Sequence, residues 1–184
     1  VHPLHNLVLI AYDPALIGDS PVTAARFASR APEAGEELWI AGMRNGEKLV
    51  SQSAAFASFE PVGYPLSRTM RFRQANLETL DLVDGPRDLD GVVVNRKGEV
   101  AALWSSFSWQ GSGELRQENR GMPVEYVREL VDLVDTGREL RSLEVEWTQM
   151  PLTAARRLGL SADWAHRIGD HDPERRRLLS VART

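Results

Sequence analysis

A switch of hydrophobic period at Pro123 constrains this chain more than any other feature. Downstream of it, Val124, Val127, Leu130, Val131 and Val134 recur at helical spacing and lie on one face of an amphipathic helix. Pro123 suits the first turn of that helix, and Gly137 suits its C-terminal cap. Upstream the texture is β. Runs at 37–43, 48–53, 55–59 and 70–80 are separated by Gly, Pro and Asn. Val92-Val93-Val94 leads into the hairpin signal Asn95-Arg96-Lys97-Gly98, and 99–106 returns as a Trp-bearing strand. Closely spaced short strands closed by a single helix read as a β-barrel or sandwich.

The flanks carry weaker signals. Leu7-Val8-Leu9-Ile10 is a continuous apolar run ended by Asp13-Pro14, which reads as a buried strand and a turn. Residues 14–34 are rich in Ala, Pro and Gly and read as a surface connection. After Gly137 a polar tether, 138–142, precedes a strand-like stretch at 143–150. Two short helical patterns follow, split by Leu158-Gly159-Leu160-Ser161, and 177–181 reads as a last strand. The boundary between two units falls near 138–141. The downstream unit is too short to build a stable core alone.

Composition removes several classes of function. The net charge of −4 gives no global basic field for nucleic acid or anionic lipid, and Arg175-Arg176-Arg177 reads as a short solvated face. The absence of cysteine excludes disulfides, Cys-type zinc sites and thiol nucleophiles. No apolar run approaches the roughly 20 residues of a membrane-spanning helix. The opening Val1-His2-Pro3 has no signal-peptide pattern, and both ends read as cut from a longer polypeptide.

Three local motifs resemble, in order and spacing, those of the HtrA/DegP-type serine proteases. Gly91-Val92-Val93-Val94-Asn95 with Gly98-Glu99-Val100 is similar to the strand–turn–strand that follows the family nucleophile. Gly121-Met122-Pro123 leading into Val127 is similar to the entry of the last protease helix, with the proline slightly early. Arg141-Ser142-Leu143-Glu144-Val145 resembles the entry of a PDZ domain. The finer resemblance is to a duplicated subgroup, known from a fungal nuclear protease, whose second protease repeat is degenerate; it is carried by Leu143-Glu144-Val145-Glu146, Pro151-Leu152, Ala154-Ala155-Arg156, Leu158-Gly159-Leu160-Ser161, Trp164 and Arg175-Arg176. The resemblance implies a mainly β fold: a trypsin-like (chymotrypsin-fold) β-barrel half with a C-terminal helix over 1–138, then the N-terminal part of a PDZ domain, α+β, over 139–184. It implies a parent serine endopeptidase of protein quality control, with unfolded or C-terminal peptide segments of client proteins and other protease or PDZ repeats as partners. No cofactor and no metal are implied, and in a bacterium the periplasm or cell envelope is favoured.

Acyl transfer on this fold needs a serine, a histidine to take its proton, an aspartate to hold the histidine and a backbone oxyanion hole. The resemblance places Asn6, in His5-Asn6-Leu7-Val8-Leu9, at the position of the aspartate. Asparagine carries no charge to stabilise imidazolium. In Arg87-Asp88-Leu89-Asp90-Gly91, Leu89 stands at the nucleophile and Asp90 replaces a glycine. Leucine has no nucleophilic atom, and the Asp90 carboxylate opposes the field that an oxyanion needs. His2 and His5 lie too close to Asn6 to be the triad histidine, which the resemblance sets upstream of residue 1. The expectation is a catalytically inactive segment that scaffolds, regulates or binds peptides. Peptide binding would use Ser142, Leu143, Glu144 and Val145, by strand addition reaching to Trp147. The alternatives are a still-active protease with a relocated nucleophile and a purely structural β-barrel adaptor.

Other residues have plainer readings. Asp88 and Asp90, with Asp81 and Asp84 nearby, lack the pattern of a calcium loop and read as a solvated turn, with Asp81 structural. His2, His5, His166 and His171 have no zinc-ligand spacing, and 166–171 reads as a surface loop. Ser105, Ser106 and Ser108 alternate as strand residues and lack a nucleophile elbow. Trp104, Phe107 and Trp109 read as core. Gly42-Met43-Arg44-Asn45-Gly46 lacks the Lys-Ser/Thr of a phosphate loop and reads as a hairpin turn. The apolar helix face reads as packed on the barrel.

Overall fold

The computed structural model describes residues 2, 5, 7–44, 48–63, 76–111, 114–141, 143 and 145–184. A four-residue 3-10 turn, Pro14–Ile17, is capped by Asp13, whose carboxylate accepts the Ala15 N–H at 2.9 Å. Six strands follow: β1 (Glu37–Arg44), β2 (Lys48–Gly63), β3 (Asn76–Val83), β4 (Leu89–Val94), β5 (Val100–Gly111) and β6 (Glu114–Pro123). Helix α1 (Val124–Asp135) leads to β7 (Glu146–Pro151), α2 (Leu152–Arg157), α3 (Ala162–His171) and β8 (Arg177–Arg183).

The six strands form a closed antiparallel barrel in the order β1-β2-β3-β6-β5-β4, the mainly β architecture expected. Period-2 alternation turns Leu38 and Ile40 of β1, Leu89 and Val93 of β4, and Ala102 and Trp104 of β5 inward. They meet Phe56, Phe59, Leu80 and Leu82 in one core. The barrel closes where β1 and β4 pair Gly42 with Gly91. A Cβ on Gly42 would stand 2.0 Å from the Asp90 carbonyl oxygen, and one on Gly91 2.2 Å from that of Ala41, so this seam admits no side chain.

Strand boundaries differ from the sequence reading in ways that burial explains. The runs at 48–53 and 55–59 are one strand, β2, that bends at a bulge between Phe56 and Ser58 instead of breaking. Strand β6 carries no apolar alternation in its first half because 114–118 are exposed, held only by the β5 ladder. The Asn95–Gly98 turn is as expected. Asn95 Oδ1 accepts from the Lys97 and Glu99 N–H groups, and Gly98 has φ +72°. Trp104 and Phe107 are core residues as read, while the Trp109 side chain lies outside the described residues.

Two expectations for the flanks fail. The run at 7–10 is not a buried strand: no ladder pairs it, and Val8 and Ile10 are 60% and 76% exposed. Continuous apolarity demands a partner on both faces, and none of the described strands supplies one. The connection at 14–34 is not wholly at the surface. Ala28 is buried, and 26–28 bonds to Val100 at the start of β5.

Helix α1 starts after Pro123 and ends in a Schellman motif. Gly137 (φ +62°) donates to the Val134 carbonyl, and Arg138 donates to that of Leu133. Its apolar face is only lightly covered: Val124 is buried, Val127, Leu130 and Val131 are half-buried, and Val134 is exposed. Strands β7 and β8 form a separate two-stranded sheet, with α2 and α3 in the connection between them. Leu152 and Ala155 are its only fully buried apolar residues among those described. The stretch 166–171 is helical, not a loop. Ser161 caps α3 by accepting the Trp164 N–H, and Gly169 lets the Arg176 guanidinium lie against the helix.

Candidate functional site

The positions expected to mark a catalytic centre are built as structure. Leu89 is 2% exposed and belongs to the barrel core, opposite Arg44 in the β1–β4 ladder. The segment before it is a pinned turn. Asp84 takes φ +53°, the buried Trp104 indole donates to the Pro86 carbonyl at 3.0 Å, and Asp88 pairs with Arg44 at 2.9 Å. Gly85 lies flat on the Trp104 ring, where a Cβ would come within 2.9 Å. Asp90 points outward, exposed. Asp81 is structural as expected, pairing with Arg120 and capping the Leu82 N–H at 2.9 Å. Asn6 lies outside the described residues. The described serine hydroxyls with side-chain bonds engage Glu60 (Ser58), Gln117 (Ser106) and the Trp164 N–H (Ser161), and none of these bonds reaches a histidine.

Of the peptide-binding positions, Leu143 is 75% exposed and Val145 is half-buried ahead of β7, while Ser142 and Glu144 lie outside the described residues. The ladder begins at Glu146, whose buried carboxylate accepts from Arg183 Nε at 2.9 Å. The edge of β7 away from β8 carries no strand partner among the described residues.

Two clusters escape sequence reading. The first joins the histidines to the helix. His2, His5 and Glu129 each bring one ligand-type atom to within 4.8 Å of the others. The His5 ring stacks on Tyr126 at 3.9 Å between centroids, and its backbone N–H donates to His2 Nδ1 at 3.2 Å. That bond sets the proton of a neutral His2 on Nε2, whereas a metal-ligating imidazole donates from its second nitrogen. Burial, with the neighbouring His2 adding to it, pushes the His5 imidazole down to about 4. Burial also lowers His2, against the pull of Glu129. The two buried rings lie tilted against each other, and His5 joins them to α1 through Tyr126.

The second cluster docks the β7–β8 unit on the barrel and corrects the reading of Arg175-Arg176-Arg177 as a solvated face. Arg176 is exposed, but Arg175 and Arg177 are held against the barrel. Arg175 Nε meets Glu78 at 2.6 Å and Nη2 meets Glu125 at 2.9 Å, while Asp172 lies at 3.4 Å from Nη1. Its guanidinium covers the Phe59 ring at 4.3 Å from the centroid. Arg177 donates to the Phe59 carbonyl at 2.9 Å and pairs with Glu60 at 2.6 Å. Burial alone would lower Arg175, yet the hydrogen bond and charge of Glu78, with Glu125 and Asp172, raise it above the ordinary arginine value. Tyr126 is raised as well, by burial first and then by Glu78. Arg176 takes φ +47° just before β8, so strand alternation does not foretell which of the three arginines faces the barrel.

The pro-apoptotic serine protease NMA111 of Phaeosphaeria nodorum is 30% identical over 189 residues, covering 98% of this chain and 18% of that protein. Protease Do-like 7 of Arabidopsis thaliana is 28% identical over 207 residues, covering 98% of this chain and 19% of that protein. Over nearly its whole length the chain is similar to these proteases of the HtrA family. It therefore spans less than a fifth of the length of the curated relatives it matches. No protein-family model matches the sequence. Among solved structures, the Rv3671c protease of M. tuberculosis superposes with a TM-score of 0.46 at 10% identity, over 67% of this chain and 59% of that one.

Proposed function

We propose that this chain is a catalytically silent segment of an HtrA-like serine endopeptidase of protein quality control, equivalent to a degenerate second protease repeat (1–138) followed by the first part of a PDZ domain (139–184). One observation carries the reading. Leu89, which the resemblance aligns with the nucleophile, is a packed core side chain on a turn pinned by Trp104 and Arg44. No hydroxyl or thiol stands there to attack a carbonyl, and the adjacent Asp90 carboxylate opposes oxyanion formation. The segment's task is then to scaffold neighbouring repeats and to present client peptides. The exposed Leu143 just ahead of β7 supports strand addition by a peptide C-terminus along Ser142, Leu143, Glu144 and Val145.

The test is direct. The chain is incubated with unfolded casein and a serine-directed fluorophosphonate probe, and a C-terminal peptide library is screened in parallel. No labelling, no cleavage, and peptide binding lost in Leu143→Trp are the expected results. Labelling of any serine would restore the reading of a protease with a relocated nucleophile. A folded chain that binds no peptide would leave the barrel adaptor.

A further inference from the structure

We propose that the half-open groove between the barrel and the β7–β8 unit binds an arginine side chain of an extended, apolar peptide segment. The groove has a volume of about 650 Å³. Trp147, Leu178 and Leu179 line it from the unit, and Tyr126 and His5 line it from α1 and the start of the chain. This site is separate from the strand addition proposed at 142–145, and it needs no free peptide C-terminus.

Charge selects the occupant. Glu78, Glu125 and Asp172 all line the groove and share a single guanidinium, that of Arg175. Arg177 lines it too but is matched by Glu60. The balance is negative, so the groove attracts a cation. Glu125 spends Oε2 on Arg175 while its side chain stays 41% exposed, which leaves carboxylate surface for a second donor.

Unmet hydrogen bonds point the same way. His5 is 8% exposed, and its Nδ1 has no hydrogen-bond partner among the described residues. Gln149 Oε1 is likewise buried and unpartnered, its amide nitrogen being turned to Glu78 at 3.4 Å. A neutral imidazole protonated on Nε2 and an amide oxygen are both acceptors, so the fitting occupant is rich in N–H donors. A guanidinium supplies several in one planar fork. Trp147 adds a ring face: among the described residues the guanidinium–ring contacts are on Phe59 and Trp164, not on it. Arginine stacks on such a ring better than lysine, and Leu178 and Leu179 take apolar neighbours of the same peptide.

The probe is a short fluorescent peptide of alternating leucine and arginine, acetylated and amidated so that it offers no C-terminal carboxylate. Its anisotropy should rise with added chain at low salt, and the affinity should fall as NaCl is raised. Citrulline in place of arginine keeps the shape, removes the charge and weakens binding by about tenfold. Leu179→Lys, at a position 62% exposed, brings a like charge into the groove and abolishes binding with the melting temperature unchanged. Leu143→Trp leaves binding unchanged, which separates this site from that for a peptide C-terminus. Equal affinity for the arginine and citrulline peptides overturns the proposal, as does binding that survives Leu179→Lys. Binding lost in Leu143→Trp overturns it too, by assigning the peptide to the strand-addition site.

Discussion

Leu89, Arg175 and His5 each show a side chain whose meaning depends on what surrounds it. Leu89 is a packed core side chain, so on the proposed reading a serine placed there finds no catalytic partner. Leu89→Ser removes core volume and buries a hydroxyl, at about 3–5 kcal/mol. A fall in the urea midpoint with no gain of fluorophosphonate labelling is expected. His5 gives a pH signature. Its folded value of about 4 lies below the ordinary 6.5, so the unfolded chain takes up the proton first. Stability on this account is full above pH 6.5, declines as pH falls towards 4, and levels off below. His5→Phe keeps the stack on Tyr126 and removes the proton. Denaturation midpoints of the two chains, measured from pH 8 to pH 4, should diverge only inside that window, with the variant's profile the flatter.

At the level of elements, legibility followed exposure. Helix α1 was readable at both ends because Pro123 and Gly137 impose backbone conformations that few residues replace. Gly137→Ala, at φ +62° with open space around its Cβ, costs about 1 kcal/mol through backbone strain alone. A small drop in melting temperature without a change of fold is expected. The Gly42–Gly91 seam is the opposite case. Gly91→Ala drives a methyl into the Ala41 carbonyl and costs about 3 kcal/mol or more, read as loss of the cooperative transition at physiological temperature. Strands with one buried face announced themselves, and the Asn95–Gly98 turn named its own hairpin. Strand β6 was silent because its outer half faces water on both sides. The run at 7–10 misled because apolar sequence records a need for burial, not its fulfilment. The side-chain clusters were not legible. The Glu78–Arg175 contact joins residues far apart in sequence, and nothing local records it.

The whole molecule is a closed barrel built from distant pairings, β1 with β4 and β3 with β6, with a light unit held on one face by charge. Such pairings put refolding in the millisecond-to-second range, slower than a helical bundle of this size. Hydrogen exchange should rank the molecule accordingly: slowest at Leu38, Ile40, Leu80 and Val93 in the barrel, faster in β7 and β8, and fastest at 7–13. Protection of β7 equal to that of β4 would show the unit to be an integral part of the barrel instead. The stretch after Leu7 has one further consequence. Val8-Leu9-Ile10-Ala11-Tyr12 has no charge and no proline, lies exposed, and leaves its backbone groups without a ladder. That is the composition of a segment that stacks on copies of itself, with Asp13-Pro14 as the only brake beside it. At high concentration the chain should therefore form thioflavin-positive aggregates seeded at this strip, and Leu9→Lys should delay them while leaving the barrel's melting temperature unchanged.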